Sequence, residues 1–204
     1  MSPPPDNPSA ARRSTGHSAS AESGEFTPEE RRLLLGLAHE AIVSALENRK
    51  ISMTAPSPHL AEPRGAFTTL YVRGELRGCV GYVFPVESLY RTVVETACAA
   101  AFEDTRFWPL TKEEAPELQV SLSILSVLQP IRPEDVEIGR HGLVVSLGGQ
   151  RGLLLPQVPV EHGWDRITFL EQTCRKAGLP LDAWQKDAKL EAFTAEVFGD
   201  GDMR

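Results

Sequence analysis

Two pairs of strand-like runs, each joined by a short glycine turn, constrain the fold more than any other feature of this sequence. The first pair, GAFTTLYV and LRGCVGYVF, meets at Gly74, and the second pair, HGLVVSL and RGLLLP, meets at GGQ. Runs rich in β-branched and aromatic residues that flank such a turn are typical of β-hairpins, whose two strands are antiparallel. The chain therefore predicts antiparallel sheet.

The segments around these hairpins carry helical and strand periodicity. A capping box at FTPEE begins a predicted helix that runs to near Asn48. Apolar residues recur at helical spacing from Val86 to Ala101 and include Cys98, which we expect in the core. LQVSLSILSVL alternates as a half-buried strand and changes phase near Leu125, which suggests a bulge or bend. The prediction ends with two elements. One is a helix that Asp165 caps and that places Cys174 in the core, and the other is a last strand over KLEAFTAEVF.

The predicted order is helix, hairpin, helix, strand, hairpin, helix, strand. Hairpins in place of β-α-β units imply an α+β fold, with a mainly antiparallel sheet flanked by helices. A length of 204 residues suits one domain, including a domain of two lobes. Residues 1–24 are rich in Pro, Ser and Ala and lack large apolar residues beyond the initiator Met. We therefore expect a disordered arm at 1–24 and a single folded domain over 25–200.

Composition excludes several classes of function. The net charge is −7 and no long basic run occurs, so nucleic-acid binding is not expected. No apolar stretch approaches the roughly 20 residues that span a bilayer, and no signal peptide is visible, which favours a cytoplasmic protein. The three cysteines form no CxxC pair, and HExxH, P-loop and GxGxxG motifs are absent, so no metal or cofactor is predicted.

The strand LRGCVG places a thiol between two glycines. In a regular strand Arg77, Cys79 and Gly81 share one face and Gly78 lies on the other. Arg77 could then stabilise a Cys79 thiolate in a groove that Gly81 leaves uncrowded. The alternative is that Cys79 is a small core residue and that the glycines mark a barrel corner or close helix packing. The spacing alone leaves both interpretations open.

At these residues the sequence resembles the AMMECR domain family, the Alport syndrome and elliptocytosis chromosomal-region protein family. Prokaryotic members are known as AmmeMemoRadiSam system protein A. LRGCVG corresponds to the family signature LRGCIG, with Val80 in place of isoleucine. Further matching motifs follow in order: GAFTTL at 65–70, DTRFWPL at 104–110, IGRHGLVV at 138–145, LLLPQVPVEHGWD at 153–165 and FLEQTCRKAGL at 169–179.

The resemblance covers about residues 26–198 and implies an α+β domain of two unequal lobes. It places the signature strand near a cleft between the lobes. The family brings no established reaction. Its association with Memo-type and radical-SAM proteins implies a shared pathway, and the proposed importance of its signature favours a functional Cys79.

Two further groups of polar residues are candidates for a site. Asp104 and Arg106 are close enough in sequence to form an ion pair that fixes a turn, or to hold a carboxylate or phosphate ligand. His162 is a candidate base for Cys79, and His141 competes with it for that role. A metal site that uses these histidines lacks the usual ligand spacing.

Two functions follow from these residues. In the first, a small molecule or peptide binds in a cleft lined by Arg77, Gly78, Gly81, Asp104 and Arg106, with thiol chemistry at Cys79 and with His162 as its candidate base. In the second, the protein is a non-catalytic adaptor that presents the same cleft to a partner protein. An activated Cys79 would react with thiol reagents before Cys98 and Cys174, whereas the adaptor gives no reason for that order.

Overall fold

Residues 24–203, the part of the chain that the computed structural model describes, fold into four α-helices and eight antiparallel strands. The arm predicted over residues 1–24 lies outside the described residues except for Gly24. The helices are α1 (Pro28–Leu46), α2 (Leu89–Phe102), α3 (Gln157–Glu161) and α4 (Arg166–Lys176). The strands are β1 (Ala66–Val72), β2 (Glu75–Tyr82), β3 (Leu118–Leu125), β4 (Gln129–Pro130), β5 (Gly142–Leu147), β6 (Gln150–Leu154), β7 (Lys189–Phe193) and β8 (Ala195–Gly199).

Side-chain caps set where the long helices begin. Thr27 and Glu30 form the predicted capping box of α1, and the Asp165 carboxylate caps α4 as expected. Helix α2 begins later than the apolar stripe predicts, because the Ser88 hydroxyl accepts the Arg91 N–H and fixes the first turn there. Val86 therefore lies before the helix and is 81% exposed.

The strands form two four-stranded antiparallel sheets, which confirms the α+β class. The first sheet has the order β2-β1-β3-β8, and α1 and α2 pack with it around one apolar core. The second sheet has the order β4-β7-β5-β6, and α4 packs with it around a separate core. A small third cluster, centred on Leu125, Val144 and Phe193, fills the junction of the sheets.

The chain crosses between the two sheets twice, and the crossings lie side by side. The first follows β3, which ends at Leu125 where the sequence changes phase. The second divides KLEAFTAEVF into β7 and β8 at Thr194, so the prediction of one continuous last strand is wrong. Ser126 N–H donates to Thr194 O over 2.9 Å, and Thr194 N–H donates to Ser126 Oγ over 3.0 Å. These bonds satisfy the polar groups that both strands leave unpaired where they change sheets.

The cysteines away from the signature strand differ in burial. Cys174 on α4 is fully buried in the second core, as predicted. Cys98 on α2 is only partly buried, so the prediction of a core position holds only in part. Its thiol donates to Ala41 O of α1 over 3.7 Å. Burial raises the pKa of both thiols above its ordinary value.

Replacing Gly36 by alanine is expected to stabilise the protein. Gly36 is an exposed residue inside α1, and a Cβ there would meet nothing within 4 Å. Alanine in a helix interior is favoured over glycine by about 0.5–1 kcal/mol, which thermal unfolding can detect. Gly74→Ala is the control, because Gly74 is equally uncrowded but has φ +82° and should be destabilised. Equal shifts in melting temperature for the two variants would contradict the expectation.

Candidate functional site

A bulge in the first hairpin determines where the Cys79 thiol points. The turn at Arg73 and Gly74 pairs Val72 with Glu75, and an unbroken ladder from there would set Cys79 opposite Thr68. The register instead shifts at Arg77, which has no partner on β1, so that Cys79 lies opposite Thr69.

This one-residue shift moves the thiol out of the core. Thr68 is fully buried and its hydroxyl is hydrogen-bonded to that of Thr96 on α2, so it lies on the helix-covered face. Thr69 lies on the opposite face, and its hydroxyl donates to Cys79 Sγ over 3.3 Å. The bulge also interrupts the regular alternation between Arg77 and Cys79 from which the sequence predicted a shared face.

The Cys79 side chain lines a cavity of about 310 Å³ between the first sheet and the segment that follows β6. One wall is the face of the first sheet that the helices leave free, and the other is the segment after β6. The lining residues are Phe67, Thr69, Cys79, Ser123, Leu125, Leu155, Pro156, Gln157, Ala195 and Val197. Apart from the thiol, none of these side chains titrates, so the cavity is apolar with a few neutral hydrogen-bonding groups.

The two glycines of the signature each allow a close approach, on opposite faces of β2. A Cβ on Gly78 would lie 2.1 Å from Ala100 O, so this glycine lets α2 pack directly on the strand. A Cβ on Gly81 would lie 2.2 Å from the ring of Phe67, which lies across the glycine and lines the Cys79 cavity. Gly78 therefore matches the close-packing interpretation, and Gly81 makes room for a wall of the cavity.

Arg77 fixes the segment that follows α2. Its guanidinium donates to both carboxylate oxygens of Glu114, over 2.8 and 3.1 Å, and to the carbonyl oxygens of Trp108 and Pro109. The arginine side chain is 15% exposed, and the pair holds the pKa of Glu114 at about 2. Among the described contacts, Cys79 Sγ receives its hydrogen bond from Thr69 and none from Arg77. These contacts give no support to Arg77 as the partner of a thiolate.

Asp104 and Arg106 bind the outer edge of β2 at Cys79. The Asp104 carboxylate accepts the Cys79 N–H over 2.9 Å and pairs with the Arg106 guanidinium over 2.7 Å. Arg106 in turn donates to Cys79 O over 3.3 Å. Arg106 and the hydrogen bonds from backbone amides hold the pKa of Asp104 far below its ordinary value. The two side chains thus satisfy the backbone of an edge strand in place of a neighbouring strand.

Neither candidate histidine lies in the cavity with Cys79. His162 is exposed at the end of α3, where its ring stacks on Trp164 with 4.7 Å between ring centroids. His141 accepts the Glu137 N–H at Nδ1, and burial lowers its pKa. It lines a different, smaller cavity beside β4 and β7. Within residues 24–203, no group of three potential metal ligands comes together.

The residues that sequence reasoning missed are those of the paired strand β1 and of the segment that follows β6. Phe67 and Thr69 belong to GAFTTL, and the register of the hairpin was the signal that could have placed them beside Gly81 and Cys79. Leu155 to Gln157 belong to LLLPQVPVEHGWD, a motif singled out for its histidine. The apolar start of that motif, and not His162, forms the wall of the cavity.

Comparison with known proteins identifies the relatives of this fold. The AMMECR1 family matches residues 35–198. The chain belongs to the AMMECR1 family. Protein MK0488 of Methanopyrus kandleri is 45% identical over 186 residues, which cover 85% of this chain and 90% of that protein. A protein of Aquifex aeolicus is 42% identical over 177 residues, which cover 82% and 91%.

A solved structure extends this similarity to three dimensions. The crystal structure of protein PH0010 from Pyrococcus horikoshii matches with a TM-score of 0.67 at 39% sequence identity, over 85% of this chain and 93% of that one. The AMMECR1 match begins at Leu35, inside α1, and ends at Phe198 in β8, so it includes both sheets and every residue that lines the Cys79 cavity.

No helix within residues 24–203 combines the length and the hydropathy needed to cross a membrane.

Proposed function

We propose that this protein binds a small molecule or a peptide segment in the cleft between its first sheet and the segment after β6, with the Cys79 thiol in the wall. The observation that carries the proposal is the cavity of about 310 Å³ that the bulge at Arg77 opens to Cys79. Its size falls at the lower end of ligand pockets, and its apolar walls with few polar groups are typical of them. Because Asp104 and Arg106 fix the backbone at Cys79, the thiol is held in one place.

The lining favours binding over acid–base catalysis. A nucleophilic cysteine needs a neighbouring base or a cation to form its thiolate, and the lining residues include no histidine, carboxylate, lysine or arginine. Thiol chemistry at Cys79 would therefore depend on an electrophilic group in the ligand. His162, exposed on α3, does not serve as a base in this proposal.

Cys79 is expected to react with iodoacetamide before the other cysteines of the folded protein. It lines an open cavity, whereas Cys98 is packed against α1 and Cys174 is fully buried. Because burial raises the pKa of the latter two thiols, less of each is in the reactive thiolate form at neutral pH. Mass spectrometry of proteolytic peptides after timed labelling measures the order.

The Cys79→Ser variant is the control and should lose the fast labelling while keeping the slow labelling of Cys98. Labelling of Cys98 as fast as that of Cys79 would contradict the proposal. The same assay then tests occupancy, because a compound in the cavity should protect Cys79. Ser123→Leu, which fills the cavity from β3, should abolish that protection.

The second candidate function is a non-catalytic adaptor. The sequence assigned its partner to the cleft, whereas the exposed surface at Trp108, outside the cavity lining, favours docking there. Trp108 is 87% exposed, yet its carbonyl is held by Arg77. Exposed tryptophans on ordered segments are enriched among residues that dominate protein interfaces. An adaptor that uses this surface would keep its partner in Cys79→Ser and lose it in Trp108→Ala, which pull-down with the purified partner would distinguish.

A further inference from the structure

We propose that the ligand of the cleft is an extended peptide segment of another protein, which adds to the free edge of β8 as a fifth strand. This inference rests on the proposed function and specifies the ligand's class. It depends on three observations. Backbone groups of β8 point away from β3, two cavities lie beside Ala195 and Val197, and the carboxylate of Glu161 lines the second of these cavities.

Within residues 24–203, the hydrogen-bonding pattern of β8 leaves one side of the strand without a partner strand. Ser126 N–H donates to Thr194 O, so these two residues occupy a bonded position of the ladder between β3 and β8. Bonded and non-bonded positions alternate along antiparallel strands. Glu196 is therefore bonded to β3, while Ala195 and Val197 direct their N–H and C=O groups away from β3, to the edge of the sheet.

The end of the strand confirms this direction. Gly199 belongs to the same outward set as Val197, and its N–H donates to the Asp202 carboxylate over 2.8 Å instead of to β3. That carboxylate therefore caps the outward N–H of Gly199. In the described part of the chain, no comparable contact involves the backbone of Ala195 or Val197.

Two other edge strands of this protein, β2 and β4, have features that prevent pairing, in contrast to β8. Asp104 and Arg106 bind the outward backbone groups of β2 at Cys79. Strand β4 is two residues long and ends in Pro130, which lacks an N–H. Short strands, proline and charged side chains are the usual means of preventing edge pairing. Strand β8 has none of these at Val197, which is apolar and 63% exposed.

Space for a peptide lies along this edge. A second cavity of about 310 Å³ is lined by Gly139, Arg140, Val160 and Glu161. It shares Pro156, Gln157, Ala195 and Val197 with the Cys79 cavity, so the two cavities adjoin each other at β8. A strand placed there would hydrogen-bond to the backbone of Ala195 and Val197 and direct alternate side chains into these cavities.

The two cavities specify different side chains. The Cys79 cavity has apolar walls, including Phe67 and Leu155, and takes an apolar side chain. In the second cavity Arg140 is already paired with Glu137, over 3.0 Å, whereas Glu161 has no ion-pair partner among the described residues. Because side chains two positions apart lie on one face of a strand, the expected ligand has an apolar residue two positions from a lysine or arginine.

The experiment selects ligands from a random nine-residue peptide library displayed on phage, with the full chain immobilised. Selected peptides are synthesised, and their affinities are measured by fluorescence polarisation. We expect them to share an apolar residue, one variable position and a basic residue. An apolar side chain that enters the Cys79 cavity beside Val197 should close that end and so protect Cys79 from iodoacetamide. Glu161→Gln should weaken binding of these peptides and reduce its dependence on salt.

The decisive variant is Val197→Pro, which removes an N–H that β3 does not use and so leaves the sheet paired. It should melt close to the unmodified protein and weaken peptide binding about tenfold or more, since an edge hydrogen bond and its geometry are lost. Val197→Thr is matched in shape and keeps the amide, so it should weaken binding much less. An equal loss in both variants would show that the side chain, not the strand edge, binds the peptide.

Other outcomes overturn the inference in distinguishable ways. If no peptide is selected, or if Val197→Pro binds the selected peptides unchanged, the peptide assignment fails. If small apolar compounds protect Cys79 while no peptide does, the proposed cleft stands and only its ligand class is wrong. If neither protects Cys79, the proposed function fails as well. A dimer that Val197→Pro converts to a monomer would assign the edge to a second copy of this chain.

Discussion

A valine in place of Gly78 is expected to lower the free energy of unfolding by about 3 kcal/mol or more. The Cβ alone would lie 2.1 Å from Ala100 O and 3.0 Å from the carbonyl carbon. Both are backbone atoms of α2, so relief requires the helix to move away from the first sheet. Ala97 and Ala100 pack in the core on this helix, and their contacts would be lost together. Urea unfolding measures the change.

Gly149→Val is the control for this substitution. Gly149 lies in the turn of the second hairpin, is exposed, and has nothing within 4 Å of a Cβ. The same side chain should therefore change the stability there by about 0.5 kcal/mol or less. Gly78→Ala should fall between the two, because it has the clashing Cβ without the branches. Similar stabilities for Gly78→Val and Gly149→Val would contradict the close packing of α2 on β2.

The sequence predicted correctly the starts of two helices and the first hairpin turn, which depend on interactions between residues close in sequence. The capping box at Thr27 and the Asp165 cap set the starts of α1 and α4 as expected. The turn at Gly74, with φ +82°, joins β1 to β2. Each of these features depends on residues within four positions of one another, so the pattern of the sequence contains the whole cause.

Features that depend on distant partners could not be predicted in the same way. The bulge at Arg77 is favoured by a guanidinium that reaches Glu114, 37 residues away, and nothing near Arg77 in sequence names that partner. By sequence Thr194 is an ordinary strand residue. Its position at the sheet crossing depends on hydrogen bonding with Ser126, which is 68 residues away. Period-2 alternation gives a strand its two faces but does not say where the strand changes sheets.

The candidate site shows the same division between local and distant causes. The sequence directed attention to Cys79, which does line a cavity, because two glycines and a thiol are unusual in a strand. It gave Arg77 and His162 the role of activating the thiol, whereas the structure places Arg77 on Glu114 and His162 on Trp164. The sequence suggested those roles because the residue types suit the chemistry. Which side chains meet is determined by the strand register and by contacts between distant segments.

Replacing Asp104 by alanine is expected to destabilise the protein by roughly 1–3 kcal/mol at neutral pH. The carboxylate is 7% exposed and accepts the Cys79 N–H, so its loss leaves that amide without its acceptor and Arg106 without its counter-ion. The edge of β2 should then open more often. Amide hydrogen exchange at Cys79 should accelerate, and the melting temperature should fall.

Asp135→Ala is the matched control. Asp135 and Arg132 form a two-bond ion pair at 2.7 and 3.0 Å, close to the distances between Asp104 and Arg106. Both residues are exposed, however, and Asp135 binds no strand amide, so its removal should change stability little. If Asp135→Ala and Asp104→Ala lower the melting temperature equally, the ion pair rather than the contact with Cys79 is responsible.

The dependence on pH tests the role of the Asp104 charge independently of packing. Because the folded-state pKa of Asp104 lies far below that of the unfolded chain, the carboxylate stabilises the fold fully above the unfolded value of about 3.9. That contribution decreases as the pH falls towards the folded pKa. The difference in unfolding free energy between the unmodified protein and Asp104→Ala should therefore be constant from about pH 6 to 7 and shrink below about pH 4. A difference that stays constant below pH 4 would show that Asp104 acts through its shape and not through its charge.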